Sequence, residues 1–325
     1  MCRRFLLADV IVEVAQVEGD VARAVESMFG ACPSATGSPT INIEFSSRPL
    51  SVPDRLADVS INDVERWHTA DGVVTRHASG ASGQRRGSGV VVWTPTGLGD
   101  TDRAVRLALQ YPLVDALSLQ GRYPLHAAVL AADGHALLAA GPTGAGKSTF
   151  AAAALRSGWL AFGDDLAFLG HGADGEIRVW ALPKALNIPT DAMEHIPSDG
   201  QRIDDDARNR WRLPAAGRLT PGSAVLAGIV IVDHSGGAAA WMRLGDSPTL
   251  LKRFALSLGI GRLSGDLREI FRLSGAMARM PVYEYLHDRD PTQRAAAVDE
   301  FLATIGPSLT GSGRPLSDLA EPGIQ

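Results

Sequence analysis

Lysine is almost missing from this 325-residue chain: of 31 basic residues only Lys147, Lys184 and Lys252 are lysines, and the other 28 are arginines. Cysteine is as scarce. Cys2 and Cys32 stand alone, which leaves no disulfide framework and no metal-ligand spacing, and a reducing cytoplasmic compartment is expected. An excess of positive charge is also lacking: the formal net charge is −5, the sequence pI is about 5.9, and basic clusters such as Arg85-Arg86 are short. A protein whose main task is binding nucleic acid is therefore not expected. No stretch offers eighteen uninterrupted apolar residues, because the longest candidates, 127–140 and 224–232, contain Gly or charge or are too short. No membrane association is expected, and zinc is unlooked for. The opening Met1–Val14 is basic then apolar, yet Asp9 and Glu13 interrupt it, so a first β-strand is expected rather than a signal peptide.

What is present begins with size. A chain of this length exceeds one comfortable core, and 45% hydrophobic content supports a folded globule of two domains or one large elaborated one. Short β-type runs, 8–14, 41–45, 72–76 and 89–94, are separated by Gly, Ser, Pro and Asp clusters, with one helix expected at 20–28 and a flexible stretch at 30–39. Asp71-Gly72 reads as a hairpin turn. Thr101–Leu119 reads as a helix leading into the next domain, with Val105, Leu109, Leu113 and Leu117 on one face and Pro112 expected to kink or split it.

Residues 141–148 read Gly-Pro-Thr-Gly-Ala-Gly-Lys-Ser, a complete P-loop pattern that places one of the three lysines where the pattern needs it. Ala136–Ala140 reads as a buried strand and the alanine-rich Thr149–Arg156 as a helix, so strand, glycine loop and helix follow in the order that phosphate binding requires. Gly144 and Gly146 let the backbone curl, and amides at the helix start, where the dipole favours an anion, turn toward phosphate. The nucleotide-holding set is thus Gly141, Thr143, Gly144, Ala145, Gly146, Lys147, Ser148 and Thr149. Lys147 would bridge the outer phosphates, and Ser148 would offer a hydroxyl to magnesium.

Phosphoryl transfer also needs an acceptor oxygen relieved of its proton. Asp164 and Asp165, at the end of a short strand 159–162 and 17 and 18 residues after Lys147, are the paired carboxylates best placed for that work. One could take a proton while the other assists magnesium. An Asp-Asp turn is also a common solvated strand end. His126 opens the apolar run 127–131, 15 residues before Gly141. A lone histidine there is more often structural, and its functional role would be to orient or tune an acid. Residues 166–169 continue the apolar character, further strands are expected at 177–181, 225–232 and 282–286, and helices at 248–257, 266–278 and 292–305. The polar segment 189–220, carrying Arg210, Trp211 and Arg212, reads as a mobile loop or lid. Arg210 and Arg212 could equally reach a transferred phosphoryl group from it or be surface charge, while Lys184 reads as surface charge.

These residues resemble the catalytic domain of bacterial HPr kinase/phosphorylase and its relatives that act on peptides, including tailoring kinases of lasso-peptide gene clusters. In that family a His at a strand start precedes the P-loop by about fifteen residues. The loop is followed by a helix ending in Gly, a short strand and an Asp-Asp pair. Here those features are His126, Gly141–Ser148, Gly158, Trp159–Phe162 and Asp164-Asp165. The resemblance is close over 122–185 and looser to about 303, including Pro281-Val282-Tyr283. It implies an α/β fold with a P-loop nucleotide-binding core of the HPr kinase type over 101–305, while the run pattern of 1–100 reads as a small β-rich α+β N-terminal domain and the Gly-, Pro- and Ser-rich 306–325 as a disordered tail. It further implies ATP and Mg2+ as cofactors, Asp164 as catalytic base with His126 beside it, Asp165 and Ser148 on the metal, and a small protein or peptide with a Ser or Thr hydroxyl as acceptor. Relatives are often oligomeric, so a homo-oligomer is within expectation. The Glu-Ile-Arg-Gly stretch tied to the phosphorylase reaction has no counterpart after the Asp pair, and the front of the chain bears no sign of the HPr kinase regulatory domain.

Two other classes compete with an ATP-dependent Ser/Thr peptide kinase. A nucleotide-dependent switch or assembly factor normally shows a long apolar Walker-B strand ending in Asp, whereas here an acidic pair follows the P-loop helix directly, favouring the kinase. A non-catalytic nucleotide-binding scaffold is disfavoured by the intact Lys147, Ser148 and Asp pair.

Overall fold

Side chains that alternate between more and less buried, two residues per repeat, mark residues 3–7, 10–14, 41–45 and 89–93, and a computed structural model shows what they build. It describes residues 2–61, 63–97, 101–142, 144–164, 166–182, 186–189, 201–202, 210–213, 222–234, 237–244, 267–288 and 290–310. The fold is mixed α/β, with five helices and twenty strands among the described residues. The chain divides into two compact units, Met1–Tyr123 with Arg262–Ile270, and Pro124–Gly261 with Phe271–Gln325.

The first unit holds β1 (Arg3–Leu7), β2 (Val10–Val14), α1 (Gly19–Phe29), β3 (Ile41–Phe45), β4 (Val59–Ile61), β5 (Val64–Thr69), β6 (Gly72–His77), β7 (Ser82–Arg86), β8 (Gly89–Trp93) and α2 (Thr101–Leu119). Its eight strands lie in the order β1-β2-β3-β8-β7-β6-β5-β4. Where the sequence suggested one opening strand, the structure has a hairpin, because Ala8 and Asp9 both take positive φ (51° and 59°) and turn the chain between β1 and β2. The hairpin expected at Asp71-Gly72 forms with Thr69 opposite Gly72, so the turn itself is Ala70-Asp71 and Gly72 already opens β6.

Pro112 does not split α2, which runs unbroken from 101 to 119 and packs on β6, β7 and β8. Proline removes the N–H that would reach back four residues to the Ala108 carbonyl. That carbonyl instead accepts the buried Thr75 hydroxyl from β6 at 2.9 Å. The helix comes so near the sheet that a Cβ on Gly83 would stand 2.0 Å from the same oxygen. Beside this contact, the buried Asp115 of α2 accepts from Arg85 Nε at 2.5 Å and from the Val73 amide at 3.1 Å. Arg85, part of a short basic cluster in the sequence, is thus half-buried and paired with a buried carboxylate.

The remaining elements, all in the second unit apart from Tyr123 and the first residues of α4, are β9 (Tyr123–Leu125), β10 (Ala127–Ala132), β11 (His135–Ala140), α3 (Lys147–Arg156), β12 (Leu160–Gly163), β13 (Ala167–His171), β14 (Ile177–Ala181), β15 (Leu186–Pro189), β16 (Gln201–Arg202), β17 (Arg210–Leu213), β18 (Ser223–His234), β19 (Ala240–Leu244), α4 (Leu267–Met277), β20 (Val282–His287) and α5 (Pro291–Thr310). The main sheet runs β12-β10-β11-β18-β14-β13-β9. Along one edge of the long β18, β14 pairs antiparallel at Ser223–Val225 and β20 pairs parallel at Ile229–His234. One face of this sheet is covered by α3 and α5. Phe150 of α3, Tyr285 of β20 and Phe301 of α5 meet at ring-centroid distances of 5.1, 5.9 and 5.3 Å, the centre of the core. Burying side chains of this size contributes about 2–3 kcal/mol each. The helix α5 continues through Gly306 and Pro307 to Thr310 with Leu309 buried, so residues read as the start of a tail belong to a helix.

The segment read as a lid is not wholly irregular: β15, β17 and β16 form a small antiparallel sheet in which Arg210 pairs with Pro189, and Arg212 with Asn187 and Gln201. The rest of that segment, the helix read at 248–257 and the chain past 310 lie outside the described residues.

Candidate functional site

Strand direction decides what the second sheet gathers at one end. β10 and β11 form a hairpin turned by Asp133-Gly134, both at positive φ, with Ala127 opposite Ala140. His126, just before β10, therefore lies across from Gly141, just after β11. β12 runs antiparallel to β10 with Gly163 opposite Val129, so Asp164 emerges at the same end. β18 runs parallel to β11 with Ile231 opposite Ala140, and β20 runs parallel to β18 with His287 opposite His234. Across this edge the order is Asp164, His126, the 141–148 loop, Asp233-His234 and His287. Ligands of open α/β sheets bind in the crevice outside the carboxyl ends of parallel strands, and this is that edge.

The loop from β11 to α3 has a shape only glycine permits. Gly144 and Gly146 sit at φ 87° and 93°, the left-handed region where a Cβ is strained, and Gly146 is the N-cap of α3. A Cβ on Gly141 would lie 2.4 Å from the Val232 carbonyl, and one on Gly146 would lie 2.6 Å from the His287 ring. The first amides of α3 lack intrahelical acceptors and carry the positive end of the helix dipole, which makes a nest for an anion. Lys147 is buried, and its Nζ donates to the Gly141 and Pro142 carbonyls at 2.9 and 3.1 Å. Ser148 is half-buried on the first turn of α3, and Thr149 and Ala145 are buried.

Asp164 is buried and His126 exposed. β12 reaches Asp164 through a bulge: Ala161 faces Leu130 and Gly163 faces Val129, with Phe162 as the extra residue. Such a bulge bends the strand end and re-aims the side chain that follows. Gly163 is tightly enclosed, since a Cβ there would meet the Ala181 Cβ at 2.9 Å and the Leu182 carbonyl at 3.0 Å. The structure thus brings His126, Gly141, Gly144, Ala145, Gly146, Lys147, Ser148, Thr149 and Asp164 to one sheet edge. Thr143, Asp165 and Lys184 lie outside the described residues, and of Arg210 and Arg212 only the backbone is described.

Three residues at this edge escaped the sequence reading. β18 is an apolar strand that ends in exposed Asp233 and His234, directly beside the loop strand. The signal was present as an apolar run closed by Asp-His, but nothing in the sequence says which strand adjoins the loop. The Asp233 carboxylate accepts the His234 amide at 2.8 Å, and His234 Nε2 donates to the Gly144 carbonyl at 2.7 Å. His287 is 1% exposed, and its Nε2 donates to the Gly146 carbonyl at 3.1 Å, with the two imidazole centroids 6.0 Å apart. Burial, aided by the charges of His234 and Arg294, pushes the His287 pKa down to about 4, against the raising effect of the Gly146 bond. A neutral ring with hydrogen on Nε2 follows, because a carbonyl can only accept.

Among the described residues no group of three His, Cys, Asp or Glu side chains could hold a metal unaided, and no helix is long and apolar enough to cross a membrane. A magnesium ion here would need oxygens from a bound phosphate alongside Ser148, the arrangement hard cations favour.

Comparison with known proteins adds three findings. A family model described as SynChlorMet cassette protein ScmC matches residues 107–196, less than half of the chain, in a span that includes the loop and Asp164. No curated protein matches. Among solved structures, the Hpr(Ser) kinase/phosphatase from Coxiella burnetii is similar at 12% identity over 56% of this chain and 98% of that one, with a TM-score of 0.28, too slight a likeness to argue from.

Proposed function

We propose that this chain is an ATP-dependent kinase that transfers the γ-phosphoryl group to a Ser or Thr hydroxyl of a small protein or peptide. One observation carries the reading. A glycine loop with two left-handed glycines and a lysine at the helix start shares a sheet edge with the carboxylate of Asp164 and the imidazole of His126. The loop fits a nucleotide's phosphates: its curl admits no Cβ at Gly141 or Gly146, and its lysine already lies in the loop, bonded to neutral carbonyls that a phosphate oxygen would outcompete. In this reading the α3 amides and Lys147 hold the phosphates, and Ser148, with Asp165, holds magnesium. ATP supplies the phosphoryl group and Mg2+ neutralises its charge. Asp164 accepts the proton of the acceptor hydroxyl, and His126 on the neighbouring strand orients that carboxylate.

A second reading, an NTPase that drives a partner's conformational change, is favoured by Asp233. It ends a long apolar strand next to the loop strand, the pattern that the sequence reading took to be missing. Incubating the full chain with labelled ATP, Mg2+ and Ser- or Thr-bearing peptides, read by mass, separates the two. Phosphopeptide that disappears in Asp164→Asn supports the kinase, inorganic phosphate without phosphopeptide supports the switch, and neither product removes both.

A further inference from the structure

We propose that His287 and His234 are positioning residues that clamp the glycine loop in its phosphate-accepting curl by holding the Gly146 and Gly144 carbonyls from outside. This rests on the nucleotide reading of the loop and adds a device that the motif does not contain. A carbonyl and the N–H of the following residue share one rigid peptide plane and point opposite ways. Fixing the Gly146 carbonyl therefore fixes the Lys147 amide, the first of the α3 amides without an intrahelical acceptor. That carbonyl already accepts the helical bond from the Phe150 amide at 2.8 Å, and His287 occupies its second lone pair at 3.1 Å. Gly144 receives His234 at 2.7 Å, while Gly141 and Pro142 receive Lys147, and Pro142 also receives the Ala145 amide at 3.1 Å. Four loop carbonyls are thus tied to donors, and two of those donors stand at the ends of adjacent parallel strands.

The fit is close. His287 is wedged so near Gly146 that an added Cβ would meet its ring atoms at 2.6 Å, and the ring is anchored edge-on to Tyr285 at 5.2 Å and to Phe150 at 6.3 Å. Its Nδ1 is buried without a hydrogen-bond partner among the described residues, so the ring's one polar engagement is with the loop. A residue kept only for packing would be apolar there, since an unpaired buried nitrogen is destabilising.

The test is Mg2+–ATP binding by the full chain, measured by calorimetry, for wild type, Lys147→Ala, His287→Leu, His287→Gln and His234→Ala, with folding followed by circular dichroism. Loss of one positioning hydrogen bond is expected to raise Kd about tenfold in His287→Leu and about threefold in the more exposed His234→Ala. In the kinase assay KM for ATP should rise more than kcat falls. His287→Gln, whose amide can still donate to Gly146, should recover most of the lost affinity. A pure packing role predicts the reverse order, with Leu tolerated, Gln worse, and only the melting temperature moved. If His287→Leu folds and it and His234→Ala bind as wild type does, the clamp is overturned, while loss of binding in Lys147→Ala leaves the nucleotide reading standing. If His287→Leu does not fold, wild-type Kd in His234→Ala overturns the clamp. Wild type that binds no Mg2+–ATP removes both.

Discussion

Lys147 and Asp164 have separable duties, because one touches phosphate and the other the acceptor. Lys147→Ala should abolish ATP binding, whereas Asp164→Asn should bind ATP nearly as wild type does and lose transfer by at least about a hundredfold, the usual worth of a positioned base. Equal loss of affinity in the two variants would remove Asp164 from the base role. Lys147 was legible because a fixed spacing of glycines, lysine and hydroxyl announces it, and Asp164 because it follows at a short interval along the chain. His287 was not, being 141 residues from the carbonyl it reaches. Its buried state also makes a prediction for acid stability. The folded pKa is held down to about 4 against an ordinary 6.5, so the unfolded chain binds the proton more readily. The associated stability is intact above about 6.5 and is lost as pH falls toward about 4, at most about 3 kcal/mol. Urea midpoints of wild type should drop between about pH 7 and pH 5 by more than those of His287→Gln. Parallel pH profiles would contradict the burial argument.

Helix α2 shows how an element survives a residue that should break it. Sequence pattern placed its apolar face correctly and flagged Pro112, but the remedy lies in another strand: Thr75 satisfies the carbonyl that proline abandons, and Gly83 leaves room for the approach. Thr75→Val should cost about 1–3 kcal/mol, the penalty of an orphaned buried carbonyl. Pro112→Ala restores an N–H four residues on, so adding it to Thr75→Val should recover part of that loss, and the cycle should be non-additive in denaturant melts. Strict additivity would mean that the hydroxyl and the proline do not share the Ala108 oxygen. The same division governs the site elements. Strand, loop and helix around 136–156 are local and readable, whereas the neighbour relation between β11 and β18, which makes Asp233 part of the edge, is a pairing over a long sequence interval that periodicity does not encode.

Across the whole chain, the β-rich front and the P-loop further on fall in two units with separate sheets. The sequence has no local mark showing that α2 packs on the first sheet, since an amphipathic helix does not declare which sheet its face meets. Nucleotide bound at the loop would be felt across the entire molecule. A ligand that binds only the folded state slows amide exchange most where its contacts tie down local opening, and at a hundredfold excess over Kd it adds about 2.7 kcal/mol to stability. Mg2+–ATP should therefore protect amides at Gly144–Phe150 first, then those at Gly163-Asp164, Asp233-His234 and His287, the ends that register places on one edge. Lys147→Ala should show no such gain. Exchange mass spectrometry on the full chain reads this directly: protection centred on β1–β8, or undiminished in Lys147→Ala, would place the nucleotide elsewhere and detach the loop from the function argued for it.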